Sequence, residues 1–102
     1  MATLLQVTVR FLSYDEGGRK HPPSLPDFMP HFVVPPSNEM LGIAFIDGPV
    51  DMLPNEEVTA RVRCLYEPMV SYDALRIGTR FQIVEGPKLI GSGIVLNRHA
   101  DM

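Results

Sequence analysis

Two short loops concentrate the residues able to engage a ligand: Ser13 to Pro22, reading Ser-Tyr-Asp-Glu-Gly-Gly-Arg-Lys-His-Pro, and Val84-Glu85-Gly86-Pro87-Lys88. In the first, Arg19 and Lys20 follow two glycines, which permit a tight turn and leave backbone amides beside two cations, a workable seat for a phosphate. Asp15 and Glu16 in the same loop would neutralise those cations and leave an ordinary solvated turn. Arg61 and Arg63 stand two residues apart, about 7 Å along one strand face and near the spacing of adjacent phosphates. Pairing with carboxylates across a sheet is their expected role.

Other chemistries find no support. Gly86 to Ser92 imitates the start of a nucleotide-binding P-loop, but the lysine that must follow the second glycine is absent and no helix follows. Gly91 and Gly93 are better explained by a bend or by close packing within a strand. His21, His31 and His99 have no metal-ligand spacing among themselves or with Cys64. No Gly-x-Ser-x-Gly elbow frames a nucleophile, and Cys64 falls on an apolar strand face, where a thiol is inert. The expectation is therefore a non-enzyme with no metal, no cofactor and no GTP binding.

The elements that carry these loops are read from alternation. Ten prolines and eight glycines, scattered through 102 residues, leave no room for a long helix, so the chain is all-β. Val7, Val9 and Phe11 alternate with Thr8 and Arg10, a half-buried strand that extends back toward the N-terminus. A short strand over His31 to Val34 stops at Pro35-Pro36, and a third, Gly42 to Ile46, closes on Asp47-Gly48-Pro49. Val58, Ala60, Val62, Cys64 and Tyr66 form the core face of the clearest strand. Thr79 to Val84 and Lys88 to Leu96 complete six, the last two joined by a tight hairpin at Glu85-Gly86-Pro87. Six short strands predict a small antiparallel closed β-barrel, which leaves no exposed edge. Residues 1–102 form one domain, interrupted by no linker or repeat. The proline-rich stretch Lys20 to Pro36 should cross the surface as an extended loop, as a connector or a binding surface.

Composition bounds the class. Hydrophobic content of 45% with 21% charged residues fits a globular protein and not a disordered tail. A net charge of −3 gives no global attraction for nucleic acid, so any such contact must be local. A lone cysteine fits a reducing cytosol, the expected location. The N-terminus does not have the pattern of a secretory signal, and no apolar run reaches the ~20 residues of a membrane helix.

The order of these pieces resembles the C-terminal, third domain of elongation factor Tu, the translation GTPase that carries aminoacyl-tRNA. The likeness rests on Asp15-Glu-Gly-Gly-Arg19, Pro30-His31-Phe32, Met52-Leu53-Pro54, Pro68, Gly78-Thr79-Arg80-Phe81, Ile83, Glu85-Gly86 and Gly91-Ser92-Gly93-Ile94-Val95, and it spans nearly the whole chain. It implies the six-stranded barrel and contact with tRNA: the Arg19 position holds the T-stem backbone, and the Glu85-Gly86 pair enters the minor groove of an A-form helix. The chain departs from the family at Met29, His31, Glu67, Val84 and Pro87, while Lys88 keeps the charge of the family's arginine.

Two kinds of partner follow from the resemblance. Nucleic acid would meet Arg19, Lys20, His31, Glu85, Gly86 and Lys88. A translation factor or other protein would meet apolar residues in loops, with Phe28, Met29, Met40, Met69 and Tyr72 as candidates. The stretch Met69 to Ile77 is longer than the family's equivalent by four residues, a place where recognition could have been added.

Overall fold

A computed structural model describes residues 3–25 and 27–100. Met1 and Ala2 at the start of the first expected strand, Pro26 in the proline-rich loop, and Asp101 and Met102 lie outside the described residues. Six strands form: β1 Thr3–Phe11, β2 His31–Val33, β3 Leu41–Asp47, β4 Val58–Cys64, β5 Arg80–Glu85 and β6 Lys88–Ala100. They close in the order β1-β4-β3-β2-β5-β6, every neighbour antiparallel and β6 returning to β1. Closure satisfies the backbone groups that an open edge would leave to solvent. No helix of the described residues is long and apolar enough to cross a membrane.

The alternating positions meet inside the barrel. Leu5, Val7, Val9 and Phe11 of β1 join Phe32, Ile43, Phe45, Val62, Phe81, Ile83 and Val95 in one buried cluster. Each such side chain contributes roughly 1.5–3 kcal/mol through burial. Phe32 stacks on Phe81 with ring centroids 4.0 Å apart and planes at 15°. Cys64 lies in the same interior, and burial pushes its thiol up to about 12, which leaves it unreactive at neutral pH. Close packing accounts for Gly93: a Cβ there would run into the Thr8 carbonyl oxygen and stand 2.6 Å from Phe81 Cζ.

β6 runs four residues beyond Leu96, to Ala100, although Asn97 to Ala100 show no apolar alternation. The register between β1 and β6 shifts at Gln6/Val7, passing over Leu96, and the polar tail stays paired to β1 through its backbone. Tyr66 departs from its expected place in the core, being 52% exposed. β4 ends at Cys64, and the Tyr66 ring lies across Gly42, where a Cβ would strike it.

Two residues expected to present apolar surface are instead plugs. Phe28 is 3% exposed and packs edge-on against Phe11 at 5.7 Å and with a 37° tilt against Phe45 at 5.0 Å. The backbone explains it: Phe45 N–H donates to Phe28 O and Ile43 N–H to Pro30 O, so residues 28–30 continue β2 along β3. Tyr72 is 1% exposed, and its hydroxyl donates to Gly42 O at 2.7 Å and accepts from Tyr66 N–H at 3.2 Å. Leu75 is buried beside it, and Arg98 Nη1 donates to the carbonyls of Tyr72 and Leu75 at 2.7 and 2.8 Å. The Met69–Ile77 extension is thus anchored in the fold by Tyr72 and Leu75, while Met69 and Ile77 stay exposed.

The proline-rich stretch is tied down near its middle. Leu25 N–H donates to Val50 O, Met52 N–H donates to Pro23 O, and Ser24 bridges to Asp51, so the loop is sewn to the turn after β3.

Candidate functional site

The two loops singled out by residue type come together. Leu12 N–H donates to Ile90 O at 2.9 Å, which carries the β1–β6 pairing past the end of β1 and lays the Ser13–Arg19 loop against the base of the β5–β6 hairpin. The loop opens with one 3-10 turn, Tyr14–Glu16, and reverses at Gly17, whose φ of 96° is left-handed. Gly18 follows so tightly against Leu12 that a Cβ would strike the Leu12 carbonyl oxygen, so both glycines are needed to aim Arg19 back across the hairpin. Across from it, Gly86 takes a φ of 56° in the two-residue turn between Glu85 and Lys88. Positive φ at the first central residue is what a type II′ hairpin requires, and Pro87 suits the second.

Arg19 Nη1 lies 3.3 Å from Glu85 Oε2, a contact 66 residues apart in sequence. The guanidinium also rests over the Phe28 ring, 5.3 Å from its centroid. Phe28 therefore plugs the barrel and supports the cation that faces out from it. Glu16 does not meet Arg19; its Oε1 accepts from Ser13 N–H at 2.9 Å and from the Ser13 hydroxyl. Those bonds, the backbone one foremost, hold its carboxyl below the ordinary value. Neutralisation of Arg19 comes from the other loop, not from its own.

The remaining expected residues adjoin this pair. His31 is cross-strand partner to Val84, beside Glu85, and is half-buried. Lys88 stands directly opposite Glu85 in the hairpin, and Lys20 follows Arg19; both are exposed and neither pairs with a carboxylate among the described residues. All six residues expected to meet nucleic acid thus occupy one corner. Glu67 is far from it: its carboxylate takes the Thr3 backbone N–H at 2.7 Å and the Thr3 hydroxyl at 3.0 Å. Thr3 pairs with Ala100, at the opposite end of the thirteen-residue β6 from Lys88. Arg61 is paired with Asp47 at 3.0 Å, the cross-strand role expected of it.

Among the loop residues expected to be apolar surface, Met29 is 63% exposed and Met69 is 89% exposed, and Met40 also faces solvent. Phe28 was signalled by a period of two, Phe28-Pro30-Phe32 against Met29-His31, which the proline obscures. Tyr72 has no such signal, because a loop plug is chosen by the carbonyl and amide it reaches. Nor does sequence locality mark a groove across β1, β6 and β5, whose floor is assembled by strand register and whose border includes the loop residues Pro35 and Glu57.

No protein-family model matches this chain.

Proposed function

We infer that this chain is a non-catalytic binding module of the elongation factor Tu third-domain kind, which meets tRNA or a similar A-form RNA helix at the corner formed by its two glycine loops. The observation that carries the reading is the 3.3 Å contact between Arg19 and Glu85, which brings the two distant loops to one rim. Lys20 and Lys88 supply the cations for phosphates, and Gly86 allows close approach to a shallow minor groove, where Glu85 has 2′-hydroxyls within its chemistry. Arg19 is held by Glu85 and adds no phosphate contact of its own. With two phosphates engaged, affinity falls with a log-log salt slope of roughly −2. The test is fluorescence anisotropy of labelled tRNA titrated with the protein in low salt: a saturating curve with that slope supports the reading, and a flat one ends it.

A second reading, a protein-interaction module for a translation factor or one of its partners, is favoured by Met69. That side chain is 89% exposed, on a segment whose neighbours Tyr72 and Leu75 are pinned by Arg98, so it is displayed from an ordered base. Apolar side chains held out of the core in this way are common at contact surfaces. Met69→Glu should abolish retention of protein from a cell extract without changing tRNA anisotropy; unchanged retention removes this reading.

A further inference from the structure

A groove of about 450 Å³ crosses the outer wall of the barrel where β1, β6 and β5 lie side by side. Register places Arg10, Ser92 and Gln82 in one cross-strand row and Thr8, Ile94 and Arg80 in the next. Val9 and Phe81 take the inward positions of their strands, so these six side chains face out. Short Thr8 and Ser92 lower the floor between longer neighbours, and Pro35 and Glu57 bound it.

The electrostatics are one-sided. Arg80 is exposed and has no carboxylate partner among the described residues. Arg10 lies 3.7 Å from Glu57, beyond hydrogen-bond length, with both side chains more than half exposed. Two guanidinium groups therefore face the single carboxylate in the lining, and the hydroxyls of Thr8 and Ser92 and the amide of Gln82 add donors between them. Ile94 and Pro35 offer the apolar surface.

We propose that this groove is a binding site for a small organic carboxylate, its anionic head on Arg80 and its apolar body over Ile94 and Pro35. An arginine takes a carboxylate through two parallel N–H bonds, the strongest pairing available to this lining. The volume falls within the roughly 300–1,000 Å³ of small-ligand sites. A peptide strand is disfavoured, because the closed barrel offers no edge for backbone pairing. The site is separate from the glycine-loop corner and does not depend on RNA binding.

The test is a 15N–1H NMR titration of the whole chain with N-acetyl-phenylalanine, run beside its neutral amide and beside inorganic phosphate. The carboxylate should give saturable shifts at the amides of Thr8, Arg10, Arg80, Gln82, Ser92 and Ile94. The neutral amide and inorganic phosphate should each bind about tenfold more weakly, as loss of one charged hydrogen-bonded contact or of the apolar one requires. Arg80→Ala and Arg80→Gln should lose a similar factor while their spectra away from the groove and their tRNA anisotropy stay unchanged; Arg80→Lys should recover part. No saturable shift, equal affinity for the amide or for phosphate, or indifference to the Arg80 exchanges would each overturn the proposal.

Discussion

Replacing Glu85 with glutamine separates masking from recognition at the glycine-loop corner. In the native chain the 3.3 Å contact ties up Arg19, so the cations available to phosphates are Lys20 and Lys88. Two contacts correspond to a salt slope of roughly −1.8, at about 0.9 per phosphate. Glu85→Gln removes the carboxylate and keeps a side chain that still hydrogen-bonds a 2′-hydroxyl. Arg19 remains braced on Phe28 and becomes a third contact, taking the slope to roughly −2.7. By the same relation, one more phosphate at about 0.1 M salt tightens binding approximately eightfold. The pair is partly exposed, with side-chain exposures of 31% and 39%, so the exchange should cost less than about 1 kcal/mol of stability. Anisotropy titrations of labelled tRNA with both proteins, at four salt concentrations between roughly 0.05 and 0.2 M, give affinity and slope together. An unchanged slope would refute the view that Glu85 masks Arg19. Weaker binding at an unchanged slope would show that the carboxylate itself is the contact.

Three further outcomes test the barrel that carries the site. Tyr72→Phe removes the hydroxyl that serves Gly42 O and Tyr66 N–H; because Gly42 O keeps its bond from Leu65 N–H, the cost should be about 1–2 kcal/mol, or roughly 4–15 °C in thermal midpoint. Tyr72→Ala should cost about 3–5 kcal/mol, and near-neutral values for both in urea unfolding would restore Tyr72 as a surface residue. Gly93→Ala should destabilise by about 1–3 kcal/mol, since β1 must retreat from the new Cβ and Phe81 must shift from its place against Phe32; an unchanged melting curve would contradict that packing. Alkaline pH should weaken the fold: burial holds the Cys64 thiol at about 12 against an ordinary value of 9.0 and also raises Tyr72, so the unfolded chain releases protons that the folded one keeps. Stability then falls as pH rises from about 9, and Cys64→Val should flatten that fall in urea midpoints measured from about pH 8 to 10.5.

The strands were legible because apolar residues at every second position have one favourable outcome, a shared interior. β1, β3, β4 and β5 follow that rule to within two residues at their ends. It failed where the chain is governed by partners distant in sequence. Tyr66 fits the alternation of β4 but lies past its end, on a glycine of β3. Phe28 belongs to a strand-like run interrupted by proline, and Tyr72 is inward because a carbonyl 30 residues away accepts its proton. The tail of β6 is strand without any hydrophobic pattern, since pairing with β1 is made by backbone groups that every residue carries. At the candidate site, the residue types in the two loops were readable, and the identity of Arg19's partner was not: Asp15 and Glu16 are nearer in sequence, but Glu16 is turned to Ser13 and Arg19 to Glu85.

The amino-acid order alone determined an all-β chain, most of its inward faces, and two glycine turns each carrying charges of both signs, because these follow from local sterics and from the period of a strand. Tertiary structure decided which turn faces which, that Arg19 is spoken for, that Phe28 and Tyr72 are plugs, and that Arg10 and Arg80 flank one groove. Those are consequences of barrel closure and register. The Gly86-Pro87 turn fixes β5 against β6, but only the closure of β6 onto β1 sets Arg10 in the row beside that of Arg80.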